Sequence, residues 1–105
     1  MSDDAPQAGT GVPAGAISKE LLIINKRGLH ARASAKFVQA VERFNAQVWV
    51  TRGGETVGGT SIMGLMMLAA GPGTTITVAA AGTDADAALA AITELVEGKF
   101  NEEGI

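Results

Sequence analysis

Apolar and polar positions along the chain alternate between strand-like and helical spacing. From Ile17 the segment through Ser18, Leu21, Leu22, Ile23 and Ile24 has the length and branched side chains of a buried strand, and Asn25, Lys26, Arg27 and Gly28 break it. From Ala31 to about Phe44, Ala31, Ala35, Val38 and Val41 recur at helical spacing, with Phe37 and Phe44 close to the same face. Lys36, Gln39, Glu42 and Arg43 lie opposite. Gln47 to Thr51 reads as a second strand around Val48, Trp49 and Val50, and Arg52, Gly53 and Gly54 supply a turn into a short third strand, Glu55 to Val57. After the loop Gly58, Gly59, Thr60, Ser61 is placed to cap a short helix from Ile62 to about Leu68, ended by Gly71, Pro72 and Gly73. Thr74 to Val78 alternates most clearly, with Ile76 and Val78 on one face and threonines on the other. Thr83 and Asp86 resemble a capping box for a last helix from about Asp84 to Gly98, whose buried stripe is Ala85, Ala88, Leu89, Ile92, Leu95 and Val96.

The predicted order is therefore strand, helix, strand, strand, helix, strand, helix. It implies an α+β open-faced sandwich: a four-stranded, mostly antiparallel sheet with three helices on one face. Met1 to Ala16, rich in Ala, Gly, Asp and Pro and without periodicity, is expected to be a flexible arm, leaving residues 17–105 as the one domain.

Composition narrows the function classes. Among 105 residues there is no cysteine and one histidine, so disulfides, thiolate metal sites and multi-histidine metal sites are all short of ligands. No cofactor or metal is expected. A net charge of −3 gives no electrostatic footprint for nucleic acid. No charged-then-apolar leader is visible at the start, and the longest apolar run, Ile62 to Ala70, falls far short of the roughly 20 residues that cross a bilayer. A soluble, cytoplasmic and monomeric protein is expected.

The single histidine, His30, stands where the glycine break gives way to the first helix, within Gly28, Leu29, His30, Ala31, Arg32, Ala33, Ser34. An imidazole is partly neutral near pH 7 and can attack a phosphoryl donor. At a helix N-cap it would sit beside the amides of Ala31, Arg32 and Ala33, where the helix dipole favours added negative charge. Arg32 brings forked donors suited to phosphate oxygens, and Gly28 permits the turn that aims the ring. The plainer alternative is a solvated surface histidine with no task. A hydrolase elbow is not available, since Gly59 to Gly64 misses the G-x-S-x-G spacing, and there is no nucleotide P-loop.

A second feature is Ser61 followed by Ile62, Met63, Gly64, Leu65, Met66, Met67 and Leu68. Leu65 and Leu68 form the natural core pair, leaving Ile62, Met63, Met66 or Met67 to reach the surface, where methionines adapt to several partners. The alternatives are core filler for the apolar residues and an ordinary N-cap for Ser61.

These two segments, and the distance between them, resemble the HPr family of histidine-containing phosphocarriers of the bacterial phosphoenolpyruvate-dependent phosphotransferase system, including the nitrogen-type NPr branch. The resemblance covers roughly Leu21 to Glu97. It implies a carrier, not an autonomous enzyme: His30 accepts a phosphoryl group on its δ nitrogen from enzyme I and passes it to an EIIA-type protein, with Arg32 neutralising phosphate charge. It further implies that Ser61 corresponds to the serine modified by an HPr kinase/phosphorylase, and that Ile62, Met63 and Met66 belong to the docking patch. The family's usual Gly-Leu-His-Ala-Arg-Pro carries proline where this chain has Ala33, and the leading arm is longer than usual. Two other readings stay open: a binding module switched by Ser61 phosphorylation, and a domain that holds an anion without transfer. The acceptor that fits the patch would decide between sugar uptake and nitrogen or metabolic regulation; Ala33 and the Ser61 segment tilt the reading toward regulation.

Overall fold

The computed structural model describes residues 12–102. The elements are β1 (Ile17–Leu22), α1 (Ala31–Glu42), β2 (Gln47–Arg52), β3 (Glu55–Gly58), α2 (Ile62–Met67), β4 (Thr75–Ala81) and α3 (Ala85–Glu97), followed by a tight turn at Lys99–Asn101. The order expected from periodicity is the order found. Most of the expected arm lies outside the described residues; Val12 to Ala16 lead into β1, with the Ala16 N–H donating to Pro13 O.

The sheet order is β1-β4-β2-β3, and every neighbouring pair is antiparallel. Because side chains alternate across a strand, Leu21, Val48, Val50, Ile76, Val78 and Ala80 all point to one face and are buried beneath the helices. The opposite face is open. That corrects the expectation of a fully buried first strand: Leu21 and Ile23 enter the core, whereas Leu22 and Ile24 are exposed. With helices on one side only, alternation decides which of four consecutive apolar residues are covered.

The buried face of α1 is also rotated from the expected stripe. Phe37, fully buried, sets it, with Ala33, Ser34, Val38, Ala40 and Val41, while Ala31 is exposed. Buried Ser34 donates from Oγ to Leu29 O at 3.1 Å, which satisfies its hydroxyl without breaking the helix. On α3, Ala88, Ile92 and Val96 are buried, with Ala85, Leu89 and Leu95 packed around them. The expected capping box does not form. Asp84 occupies the N-cap, and its carboxylate accepts from Asn45 N–H at 2.7 Å, tying the start of α3 to the segment before β2.

The turn between β1 and α1 rests on the segment that follows α2. Gly28 has φ +63°, and a Cβ there would collide with Ala70 O and lie 2.8 Å from Gly71 Cα. The adjacent Leu29 N–H donates to that same Ala70 O at 2.9 Å. Glycine is thus required twice, for the left-handed conformation and for the close approach. On the other side of the contact, Ala69 has φ +54°, a conformation that costs a residue with a Cβ about 1–2 kcal/mol.

Opposite effects are expected from substitutions on the two sides of this contact. Gly28→Ala should destabilise the protein by more than ~1 kcal/mol, and Ala69→Gly should stabilise it by about 0.5 kcal/mol after the entropy of the added glycine is counted. Urea unfolding of the two variants measures both; equal midpoints would contradict the contact.

Candidate functional site

His30 is the N-cap of α1, with extended backbone (φ −73°, ψ −178°) and no side-chain cap. Its carbonyl accepts the first helical bond, from Ser34 N–H at 2.8 Å. The amides of Ala31, Arg32 and Ala33 precede that bond and have no partner within the helix, and no acidic side chain occupies the first turn. A positive dipole end therefore stands beside the imidazole. Ala33 is buried at the third helical position and retains an N–H that a proline would lack.

The ring itself is held from behind. His30 Nε2 lies 3.0 Å from Glu102 Oε2, with the side chains 23% and 8% exposed respectively. Glu102 also accepts from Asn25 Nδ2 at 3.3 Å and, through Oε1, from Arg27 N–H at 3.4 Å. Burial pushes the Glu102 carboxyl up, but the hydrogen bonds from Asn25, His30 and the Arg27 and Lys26 backbone outweigh it and hold it below its ordinary value. Glu102 is consequently ionised at neutral pH and can only accept, so His30 Nε2 carries the hydrogen and Nδ1 of the neutral ring keeps its lone pair.

Asn25 organises this corner. It is fully buried, and its amide donates to Gly28 O at 2.9 Å as well as to Glu102. One side chain thus braces both the glycine turn and the carboxylate. Asn25 Oδ1 has no hydrogen-bond partner among the described residues.

Arg27, His30, Arg32, Ala33, Lys36, Phe100, Asn101 and Glu102 line one pocket of about 40 Å³. Organic ligands occupy pockets of roughly 300 Å³ or more, so this pocket accommodates water or one small anionic group. Arg32 is exposed and makes no hydrogen bond or ion pair among the described residues. Lys36 is engaged, donating from Nζ to Phe100 O at 2.7 Å. Among the described residues no cluster of three or more His, Cys, Asp or Glu is placed to hold a metal ion, and no helix is long and apolar enough to cross a membrane.

The second segment forms a separate surface. Ser61 is exposed, and its Oγ accepts from Gly64 N–H at 3.0 Å, so it does cap α2. A Cβ on Gly64 would lie 2.9 Å from Ser61 Oγ and 3.0 Å from Val57 Cβ, which explains the glycine between them. Leu65 and Leu68 are buried as the spacing predicts. Ile62, Met63, Met66 and Met67 are 40%, 69%, 39% and 67% exposed, so the apolar surface includes Met67 beyond the three residues expected from the family pattern. This surface adjoins the histidine turn through the Leu29 to Ala70 hydrogen bond, while Ser61 lies at the far end of α2, about 9 Å along a six-residue helix.

Sequence reasoning placed His30, Arg32 and Gly28 together but missed Asn25, Lys36 and Glu102. The available signal was Phe100, a lone large aromatic two residues beyond the glycine that ends α3. An apolar anchor in a polar tail marks a chain that returns to the body, and Phe100 is buried.

Comparison with known proteins identifies relatives in sequence and in fold. The family described as PTS HPr component phosphorylation site matches residues 17–98. The phosphocarrier protein HPr of Neisseria meningitidis serogroup A is 50% identical over 86 residues, covering 82% of this chain and 97% of its own. The phosphocarrier protein NPr of Shewanella violacea is 43% identical over 86 residues, covering 82% of this chain and 94% of its own. Among solved structures, HPr-C-His from Thermoanaerobacter tengcongensis superposes with a TM-score of 0.79 at 40% identity, covering 83% of this chain and 98% of that one. Fold, sequence and the arrangement around the histidine converge: the chain belongs to the HPr family, as a phosphocarrier of the phosphotransferase system in its HPr/NPr group.

Proposed function

We propose that His30 is the phosphoryl acceptor, that its attacking atom is Nδ1, and that enzyme I and an EIIA-type protein are its donor and acceptor. The observation that carries this reading is the state of the ring: Nε2 is engaged by Glu102, which leaves the lone pair to Nδ1, and the ring stands at the uncapped start of α1 in a pocket shared with Arg32, which has no partner among the described residues. Transfer proceeds in line, with Nδ1 displacing the donor at phosphorus. Arg32 and the first-turn amides of α1 meet charge on the phosphoryl oxygens, so positioning and electrostatics supply most of the rate. Residues 17–105 constitute the carrier domain in this reading.

The small pocket and the exposed patch divide the work. The pocket beside His30, about 40 Å³, has room for a phosphoryl group rather than for a whole organic donor, which suits a group delivered on another protein. Ile62, Met63, Met66 and Met67 supply an adaptable apolar docking surface next to the histidine turn, suited to partners that bind and leave quickly. A cytoplasmic relay partner of this kind acts for sugar uptake or for nitrogen and metabolic regulation according to the acceptor that fits the patch.

Ser61 supports a second reading, a switch operated by an HPr kinase/phosphorylase. A phosphoryl group there adds close to two negative charges at a helix N-terminus, which tolerates them, beside an apolar surface, which does not.

Three results are expected with phosphoenolpyruvate and enzyme I. His30→Ala should take up no acid-labile phosphate; full labelling of that variant would overturn the assignment. Arg32→Ala should still be labelled, with transfer slower by roughly tenfold or more from the loss of one charged donor. Ser61→Asp keeps a competent N-cap, so its melting temperature should stay near that of the wild type while enzyme I-dependent labelling slows by roughly tenfold through charge repulsion at the patch. Unchanged labelling of Ser61→Asp removes the support for the switch.

A further inference from the structure

We propose that Glu102 is a positioning residue for phosphoryl transfer: its carboxylate holds the proton of His30 on Nε2 and fixes the ring with Nδ1 facing the incoming group. The proposal rests on the reading of His30 as the acceptor and adds to it a part of the chain beyond the last helix. The contact is built from several directions. Lys99, Phe100 and Asn101 all have positive φ (60°, 55° and 56°), an arrangement of residues with side chains that persists only where the surroundings over-determine it. Phe100 is buried in the core, and its carbonyl accepts from Lys36 Nζ on α1. Thus anchored, the turn delivers Glu102 to Asn25, to the Arg27 N–H and to the imidazole.

The chemistry gives this contact a purpose. On loading, the Nδ1 lone pair forms the N–P bond while the donor's bond to phosphorus breaks and its electron pair leaves with the donor. The ring becomes an N-phosphoimidazolium that still carries hydrogen on Nε2, and its positive charge faces the Glu102 carboxylate. On unloading the N–P bond breaks and the pair returns to Nδ1. No proton moves in either direction, so the same site serves donor and acceptor without a general acid or base. Free imidazole already favours hydrogen on Nε2, so the tautomer bias is the smaller effect; the fixed ring orientation and the compensated cation are the larger ones.

The groups facing Glu102 are His30, Asn25, the Arg27 and Lys26 backbone, and, around the shared pocket, Arg27, Arg32 and Lys36. Its lowered pKa sets the sign of the pH dependence. The Glu102 contribution is present above the ordinary carboxylate range and is lost as pH falls through the lowered value. Wild type and Glu102→Gln should therefore converge in acid.

Since His30 is the only histidine, the imidazole signals of the ¹⁵N-labelled full chain report one ring. In the neutral-ring range, the wild type should show hydrogen on Nε2 alone, and Glu102→Ala should show both tautomers. Glu102→Gln, isosteric and still an acceptor, should keep the Nε2–H signal but lose the charge. After loading by enzyme I, phosphate should be on Nδ1, and spontaneous loss of phosphate at neutral pH should be about tenfold slower in Glu102→Gln than in wild type, because the cationic phosphoimidazolium is the labile form. Glu102→Asp should recover part of that rate. An unchanged tautomer in Glu102→Ala, an unchanged lifetime in Glu102→Gln, or phosphate on Nε2 of the wild type overturns the proposal. Absence of phosphate on wild-type His30 overturns the carrier role instead, and the two failures are separable because the tautomer is read before loading.

Discussion

The contact between the glycine turn and the chain following α2 is the constraint on which the rest of the site depends. Gly28 approaches Ala70 and Gly71 closer than any side chain would permit, and Leu29 N–H bonds Ala70 O beside it. This fixes where α1 begins, and hence where His30 and the free amides of the first turn stand. It also sets α2, with its exposed methionines, next to the same turn. Backbone geometry thus joins the His30 corner to an exposed apolar surface that lies some forty residues away in sequence, and it does so without a charged pair whose strength would change with salt.

What could be read from the chain followed from period and punctuation. Alternation in β4, the helical spacing of α1 and α3, and the Ser61 cap each depend on neighbours in sequence, so they are legible there. The errors arose where tertiary context decides. Leu22 and Ile24 look like core residues, but the open sheet face exposes them; Ala31 fits the helical stripe, but Phe37 rotates it. Asp84 has the composition of a capping residue and instead bonds Asn45 across a gap no local pattern reveals. His30 and Arg32 were legible because a helix start brings them together. Glu102 was not, because 72 positions separate it from His30 and only the burial of Phe100 closes that distance.

A carrier faces a demand that a binding protein does not. Stabilising the loaded state strongly would fill the site and stall delivery, because interactions equal in the bound state and the transition state do not accelerate transfer. The pocket around His30 meets this demand by opposing its own charges. Arg27, Arg32 and Lys36 line it; Lys36 is bonded to the Phe100 carbonyl, while the guanidinium groups of Arg27 and Arg32 make no hydrogen bond or ion pair among the described residues. Glu102 places a fixed negative charge on the far side of the ring. In the proposed relay a phosphoryl group on Nδ1 would accordingly be held by exposed guanidinium groups and the end of a helix dipole, against the fixed charge of Glu102, a grip strong enough to orient it and weak enough to be exchanged for a partner's.

The same balance accounts for how little of the site is enclosed. His30 is 23% exposed, whereas Asn25, which bonds the same Glu102 carboxylate, is fully buried. In the proposed relay, water exclusion and the remaining electrostatic stabilisation come from the protein that covers the exposed part of the ring. The apolar surface of α2 is well suited to bring it there, because methionine side chains repack against different partners with little loss of contact area. On this argument the specificity of the relay lies in the patch and its competence in the corner formed by Gly28, Asn25 and Glu102, so substitutions in one should change partner choice while substitutions in the other change transfer to every partner alike.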